Sequence, residues 1–114
     1  MARYFFDSSS LVKRFAQETG STWINSLCTV SANNDIHVAA ITGVEVIAAL
    51  VRRKRSSAFQ EISLITVIEQ FRFEYETRYQ AIEISSDLIL KAMSMAETHA
   101  LRGYDAVQLA AAIT

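Results

Sequence analysis

Proline is absent from this chain of 114 residues, and glycine occurs only three times. A chain so poor in both breakers has few flexible linkers and is expected to be rich in helix. A single cysteine, Cys28, leaves no partner for an internal disulfide and suits a reducing compartment, the cytoplasm. No apolar run approaches the roughly 18 to 20 residues that a membrane span needs. The opening "MARYFFDSSS" does not read as a secretory signal, because its apolar piece is short and an acid follows it. The net charge of −1 excludes a broad basic surface, so any contact with nucleic acid must come from local patches. Apolar residues, by contrast, make up 51% of the chain, enough for one core in a single domain of this length, 1–114.

Strand-like and helix-like stretches alternate. "RYFF", residues 3–6, is a short β-prone run ending at Asp7, and Ser8, Ser9 and Ser10 are N-cap candidates for the helix that follows. Gly20 reads as a helix stop, and Ser21 as the cap of a helix with Trp23, Ile24, Leu27 and Cys28 on one face. "NND" at 33–35 is turn chemistry, and "IHVAAI" at 36–41 reads as a second strand. Thr42 then caps a helix with Val44, Ile47, Ala48 and Val51 at helical spacing, ending in "RRKR". A long helical stretch starts at Ser56 or Ser57 and runs to about Arg78. It has too many apolar positions for one stripe, so a break near Thr66 or two buried faces is expected. "AIEI" at 81–84 reads as a third strand. Ser85 or Ser86 caps the next helix, Gly103 ends its pattern, and a last helix begins near Tyr104. This alternation predicts an α/β layered fold with a parallel sheet, with sites at the carboxyl ends of the strands.

Three acids fall at such ends. Asp7 closes the first strand, Glu45 lies one turn after the second, and Asp105 opens the last helix. Each has an ordinary explanation: Asp7 as a helix cap, Asp105 as an acid favoured by the helix dipole, Glu45 as a residue grazing solvent. Together they can converge on one sheet edge. Three carboxylates repel, so such a site needs a cation. Oxygen ligands suit Mg²⁺ or Mn²⁺, and phosphodiester cleavage is the natural reaction class. A phosphatase of the haloacid-dehalogenase type would carry a second aspartate where Ser9 stands, and the paired acids of a receiver domain are missing.

The motifs resemble those of the PIN-domain family, specifically the toxin ribonucleases of bacterial VapBC toxin–antitoxin pairs. "YFFDSSSLVKRF" (4–15) is similar to the family's opening strand, aspartate and Ser/Thr pair. "ITGVEVIAAL" (41–50) resembles its Ser/Thr-x-x-Glu-x-x-x-Ala-Leu helix. "LRGYDAVQLAAAI" (101–113) resembles its Leu-Arg-x-x-Asp-Ala-x-x-Leu-Ala-x-Ala segment. The resemblance implies a three-layer α/β/α sandwich with a short parallel sheet. Asp7, Glu45 and Asp105 would ligate Mg²⁺ or Mn²⁺, with Ser9 bonded into the cluster. The implied reaction is endonucleolytic cleavage of RNA by a metal-activated water. The implied partners are an RNA substrate, a VapB-like antitoxin and a second copy in a homodimer, with residues 57–78 forming the dimer surface and an antitoxin groove. The family usually continues past Ala112 into another strand and a further acid, so the chain is expected to be incomplete at its C-terminus. Its first strand would then be an apolar edge in need of cover by a partner or a second copy. The alternative is a catalytically inactive module that only binds protein.

Other residues have two uses each. Arg52 and Arg53 of "RRKR" are candidates for RNA contact, though cations at a helix C-terminus are favoured in any case. Arg14 and Arg102 are also candidate RNA contacts, the first equally explained as a surface residue, the second as a partner for an acid. Tyr104, beside Asp105, is a candidate lining residue. His37 and His99 have no second ligand at zinc spacing and read as structural, and Cys28 reads as core. Phe71, Phe73, Tyr75 and Tyr79 read as packing or interface aromatics rather than base-stacking ones.

Overall fold

A computed structural model of the protein describes residues 2–16, 20–55 and 61–114. Three strands, β1 (Arg3–Phe5), β2 (Asp35–Ala39) and β3 (Tyr79–Ile82), form a parallel sheet in the order β1-β2-β3. Arg3 faces Asp35 in register, and Ile36 faces Tyr79. The first crossover carries α1 (Ser8–Phe15) and α2 (Ser21–Cys28), and the second carries α3 (Thr42–Arg55) and α4 (Glu61–Thr77). Both step to the next strand in the same direction, so right-handed connections put their four helices on one face. The helices α5 (Ser86–His99) and α6 (Gly103–Ala112) follow β3 and cover the other.

Strand alternation divides the core accordingly. Ile36 and Val38 of β2 join Leu11, Ile24, Leu50 and Phe71 on the first face. Ala39 joins Leu88, Ala92, Ala106 and Ala110 on the second. The expected α/β/α layering with a short parallel sheet is therefore present. The second face is built largely from alanine, which lets α5 and α6 lie close together. No helix among the described residues is long and apolar enough to cross a membrane.

Several boundaries differ from expectation. Of the caps offered for α1, Asp7 rather than any of the three serines serves, in keeping with its ordinary explanation: its carboxylate accepts the Ser10 N–H at 2.9 Å. Gly20 does not end the first helix but caps the second, at φ +93°, a conformation that suits glycine. Ser21 is the first residue of α2, buried, its hydroxyl donating to the Ala16 carbonyl at 3.3 Å. β3 begins two residues before the expected run, because buried Tyr79 pairs beside Ile36 while Ile84 stays partly exposed. The helix α4 runs unbroken through Thr66. One of its faces is buried through Leu64, Phe71 and Glu74, and the surplus apolar residues Ile65 and Phe73 point outward, more than half exposed. The expected start at Ser56 or Ser57 lies outside the described residues. The helix α5 ends at Ala100, at φ +53°, before Gly103, which opens α6 instead. Cys28 is a buried free thiol in the core, as expected, its pKa pushed up by burial.

One acid carries more of this layer than the sequence suggested. Glu74 is 0% exposed. Arg14 of α1 binds it with two hydrogen bonds, Nε to Oε1 at 2.7 Å and Nη2 to Oε2 at 2.8 Å. Gln70 and Tyr79 each donate to it at 2.7 Å, and Arg78 lies 3.8 Å away. Burial alone would push this carboxyl up, but the hydrogen bonds from Arg14, Tyr79 and Gln70 outweigh it and leave the pKa below the ordinary 4.5. Removing one member of such a buried pair leaves the other charge unmet. Glu74→Ala is expected to cost about 3–5 kcal/mol in urea unfolding. The lowered pKa sets the pH window: Glu74 contributes fully above 4.5, and its contribution fades as pH falls through the folded-state value. Glu74→Gln should therefore flatten the acid limb of the stability curve, and an unchanged acid limb would contradict the assignment.

Candidate functional site

The carboxyl ends of a parallel sheet are where helix starts and loops gather, and three acids meet that description here. Asp7 stands two residues past β1, where Phe6 still donates to the His37 carbonyl. Glu45 lies in the first turn of α3, just past β2. Asp105 lies in the first turn of α6. Because α6 crosses back over β2, its start reaches the same edge as Asp7.

Asp7 and Asp105 line one open cleft of about 350 Å³, together with Phe5, Ser10, Tyr104 and Gln108. Glu45 lines an adjoining cleft of about 700 Å³ with Ser8, Ser9, Lys13, Arg52 and Arg53. Ser9 donates to the Asp7 carboxylate at 2.8 Å, the contact expected of it. Burial pushes Asp7 up, but the Ser10 N–H and the Ser9 and Ser10 hydroxyls outweigh it, leaving the carboxyl below its usual 3.8 and ionised at neutral pH.

Tyr104 joins the two clefts. Its hydroxyl donates to Glu45 Oε1, accepts from Gln108 Nε2 at 2.6 Å and lies 3.4 Å from Ser8 Oγ. Burial and the Glu45 carboxylate push its pKa up, so the phenol keeps its proton. Gln108, itself buried, also donates to the Thr42 hydroxyl at 3.2 Å, tying α6 to the first residue of α3. Its Oε1 is buried with no hydrogen-bond partner among the described residues.

Among the described residues, no three His, Cys, Asp or Glu side chains stand close enough together to hold a metal ion. Asp7 and Asp105 do share a cleft, and both are hard oxygen donors. Mg²⁺ is often held by one or two carboxylates, so this pair fits such a cation. Glu45 is engaged by Tyr104 instead.

The candidate RNA contacts divide. Arg52 and Arg53 line the cleft beside Glu45. Arg102 is exposed at the N-cap of α6. Arg14 is a correction: its guanidinium is bound to Glu74 and to Asn25 at 3.1 Å, so it belongs to the core layer and not to the cleft. Two participants escaped the sequence. Gln108 had a signal, a lone amide four residues after Tyr104 in an alanine-rich helix. Lys13 had only its helical distance from Ser9.

No family model matches the chain. Two curated proteins are similar to it: Ribonuclease VapC45 of Mycobacterium tuberculosis (strain CDC 1551 / Oshkosh) and Ribonuclease VapC49 of Mycobacterium tuberculosis (strain ATCC 25618 / H37Rv). Each is 29% identical over 116 residues, covering 99% of this chain and 76% of the relative.

The cap and the site make separable demands on Asp7. Asp7→Ala is expected to lose about 1 kcal/mol of stability with the cap, and Asp7→Asn to keep most of it. Thermal unfolding of both variants in metal-free buffer measures the difference. Equal losses would show that the carboxylate charge, rather than its capping oxygen, supports α1.

Proposed function

We propose that this protein, as a single domain spanning 1–114, is the ribonuclease toxin of a type II toxin–antitoxin pair, related to the PIN-domain family. It hydrolyses RNA phosphodiester bonds with Mg²⁺ or Mn²⁺. The observation that carries the reading is the meeting of Asp7 and Asp105, nearly a hundred residues apart, in one cleft at the carboxyl edge of a parallel sheet. The printed names of the two relatives, both ribonucleases of the VapC series, support the same reaction class.

In this reading Asp7 and Asp105 hold the cation, with Glu45 as a third donor. A bound Mg²⁺ or Mn²⁺ would supply Lewis-acid polarisation of a phosphoryl oxygen and a water of lowered pKa. Ser9 and the Ser10 N–H keep the Asp7 carboxylate ionised and in one orientation. Lys13, Arg52 and Arg53 stand on the wall of the neighbouring cleft and draw the RNA backbone towards the acids. Arg102, exposed beside the same edge, adds to that field. The apolar cleft between α3 and α4, about 440 Å³ and lined by Val44, Ile47, Phe71 and Tyr75, suits an apolar segment of a VapB-like antitoxin. The exposed Ile65 and Phe73 on α4 suit a homodimer contact. The chain would act in the cytoplasm, where its substrate and antitoxin are.

A second reading has its own support: without a three-acid cluster among the described residues, the same fold serves as a protein-binding module only. Thermal unfolding with Mn²⁺ separates the two. A ligand that binds only the folded state stabilises it by about 2.7 kcal/mol at a hundred times its dissociation constant. Mn²⁺ is expected to stabilise the wild type, and neither Asp7→Asn nor Asp105→Asn. RNA cleavage should require the metal and vanish in both variants. Antitoxin binding without any response to Mn²⁺ would select the module. Exchanging both Arg52 and Arg53 for Ala is expected to weaken RNA binding across sequences and lower its salt dependence by about two charges.

A further inference from the structure

The geometry points to Tyr104 as a latch on the third acid: its phenol holds Glu45 apart from the Asp7–Asp105 pair, and its release lets Glu45 join them. The inference rests on the metal reading above.

The hydroxyl of Tyr104 donates to Glu45 Oε1. An ionised carboxylate only accepts, so the phenol spends its single proton on Glu45 and its oxygen is left to accept, which it does from Gln108 Nε2 at 2.6 Å. Gln108 is buried and pinned in turn to Thr42 Oγ1 at 3.2 Å, three residues before Glu45. The latch is thus braced from inside the protein at both ends of one short loop of bonds. Tyr104 lines the same cleft as Asp7 and Asp105, whereas Glu45 lines the other. Ser8, the neighbour of Asp7, lies 3.4 Å from the same hydroxyl. Tyr104 is thus hydrogen-bonded to Glu45 and at the same time lines the cleft of the other two acids.

The arrangement has an electrostatic reason. Three carboxylates brought together without a cation repel. A phenol gives Glu45 a neutral donor and spares it that repulsion. A third donor can then be recruited only by breaking a charge-assisted hydrogen bond, and the affinity of the wild type for the cation is lowered by that cost.

Tyr104→Phe keeps the ring and removes the bond. Isothermal titration with Mn²⁺ of the wild type, Tyr104→Phe, Glu45→Gln and the double variant tests the latch. Tyr104→Phe is expected to bind about tenfold more tightly than the wild type, the scale of one charge-assisted bond. That gain should disappear in the Glu45→Gln background. Unchanged or weaker binding by Tyr104→Phe, with the wild type binding normally, overturns the latch and leaves the metal site standing. A gain that survives in the double variant also overturns it. If none of the four binds Mn²⁺, the metal reading falls and the latch falls with it.

Discussion

The buried carboxylate of Glu74 is the constraint on which the first layer of this protein is assembled. A charge with no solvent contact is tolerable only when its hydrogen-bonding capacity is met, and here three side chains meet it while a fourth, Arg78, adds an ion pair. Each comes from a different place. Arg14 lies in the last turn of α1, Gln70 one turn before Glu74 on α4, Arg78 just after α4, and Tyr79 opens β3. The network thereby sets the position of α1 against α4 and of α4 against the sheet. Around it the aromatic rings of Phe15, Phe71, Tyr75 and Tyr79 pack edge-on or tilted, with centroids 5.6 to 6.4 Å apart. The pairing is an electrostatic and packing unit, not a charge placed in an otherwise finished core.

That unit reaches the candidate site through α1. The helix is held at its C-terminal turn by Arg14 and begins at Asp7, whose carboxylate caps it. One oxygen of Asp7 takes both the Ser9 hydroxyl and the Ser10 N–H. The ordinary and the functional explanations of this acid are therefore not rivals: capping keeps the carboxylate ionised and oriented, which is what a hard-cation ligand requires. A second tie, from Gln108 through Tyr104 to Glu45, couples the start of α6 to the start of α3. The site edge is thus braced from both layers of the sandwich.

For the layering of the fold, short-range physics was enough. The order of strands and helices and the parallel sheet followed from periodicity; acids at strand ends suggested that Asp7, Glu45 and Asp105 converge, whereas the structure puts only Asp7 and Asp105 on one cleft and Glu45 on the next. Strand limits were less legible. Tyr79 falls between the helical stretch expected to end near Arg78 and the strand expected from 81; its burial beside Ile36 makes it the first residue of β3. Arg14 looked like a cleft residue because the acid it serves is 60 positions away. Glu74 drew no notice in "FEYET", since a glutamate among aromatics on a helix is locally unremarked.

The sequence by itself determined the layering, the helical character of most of the chain and the set of oxygen-bearing side chains available at the sheet edge. These depend on periodicity, capping and turn chemistry, which act over a few residues. Only the tertiary structure decided which charges are spent inside the protein and which face the clefts. It gave Arg14 to Glu74 and left Arg52 and Arg53 on the cleft of Glu45. It set Asp7 and Asp105 on one cleft and turned Glu45 to Tyr104. Those outcomes rest on desolvation and on hydrogen bonds between residues distant in the chain, and no local pattern encodes which partner a buried charge will find.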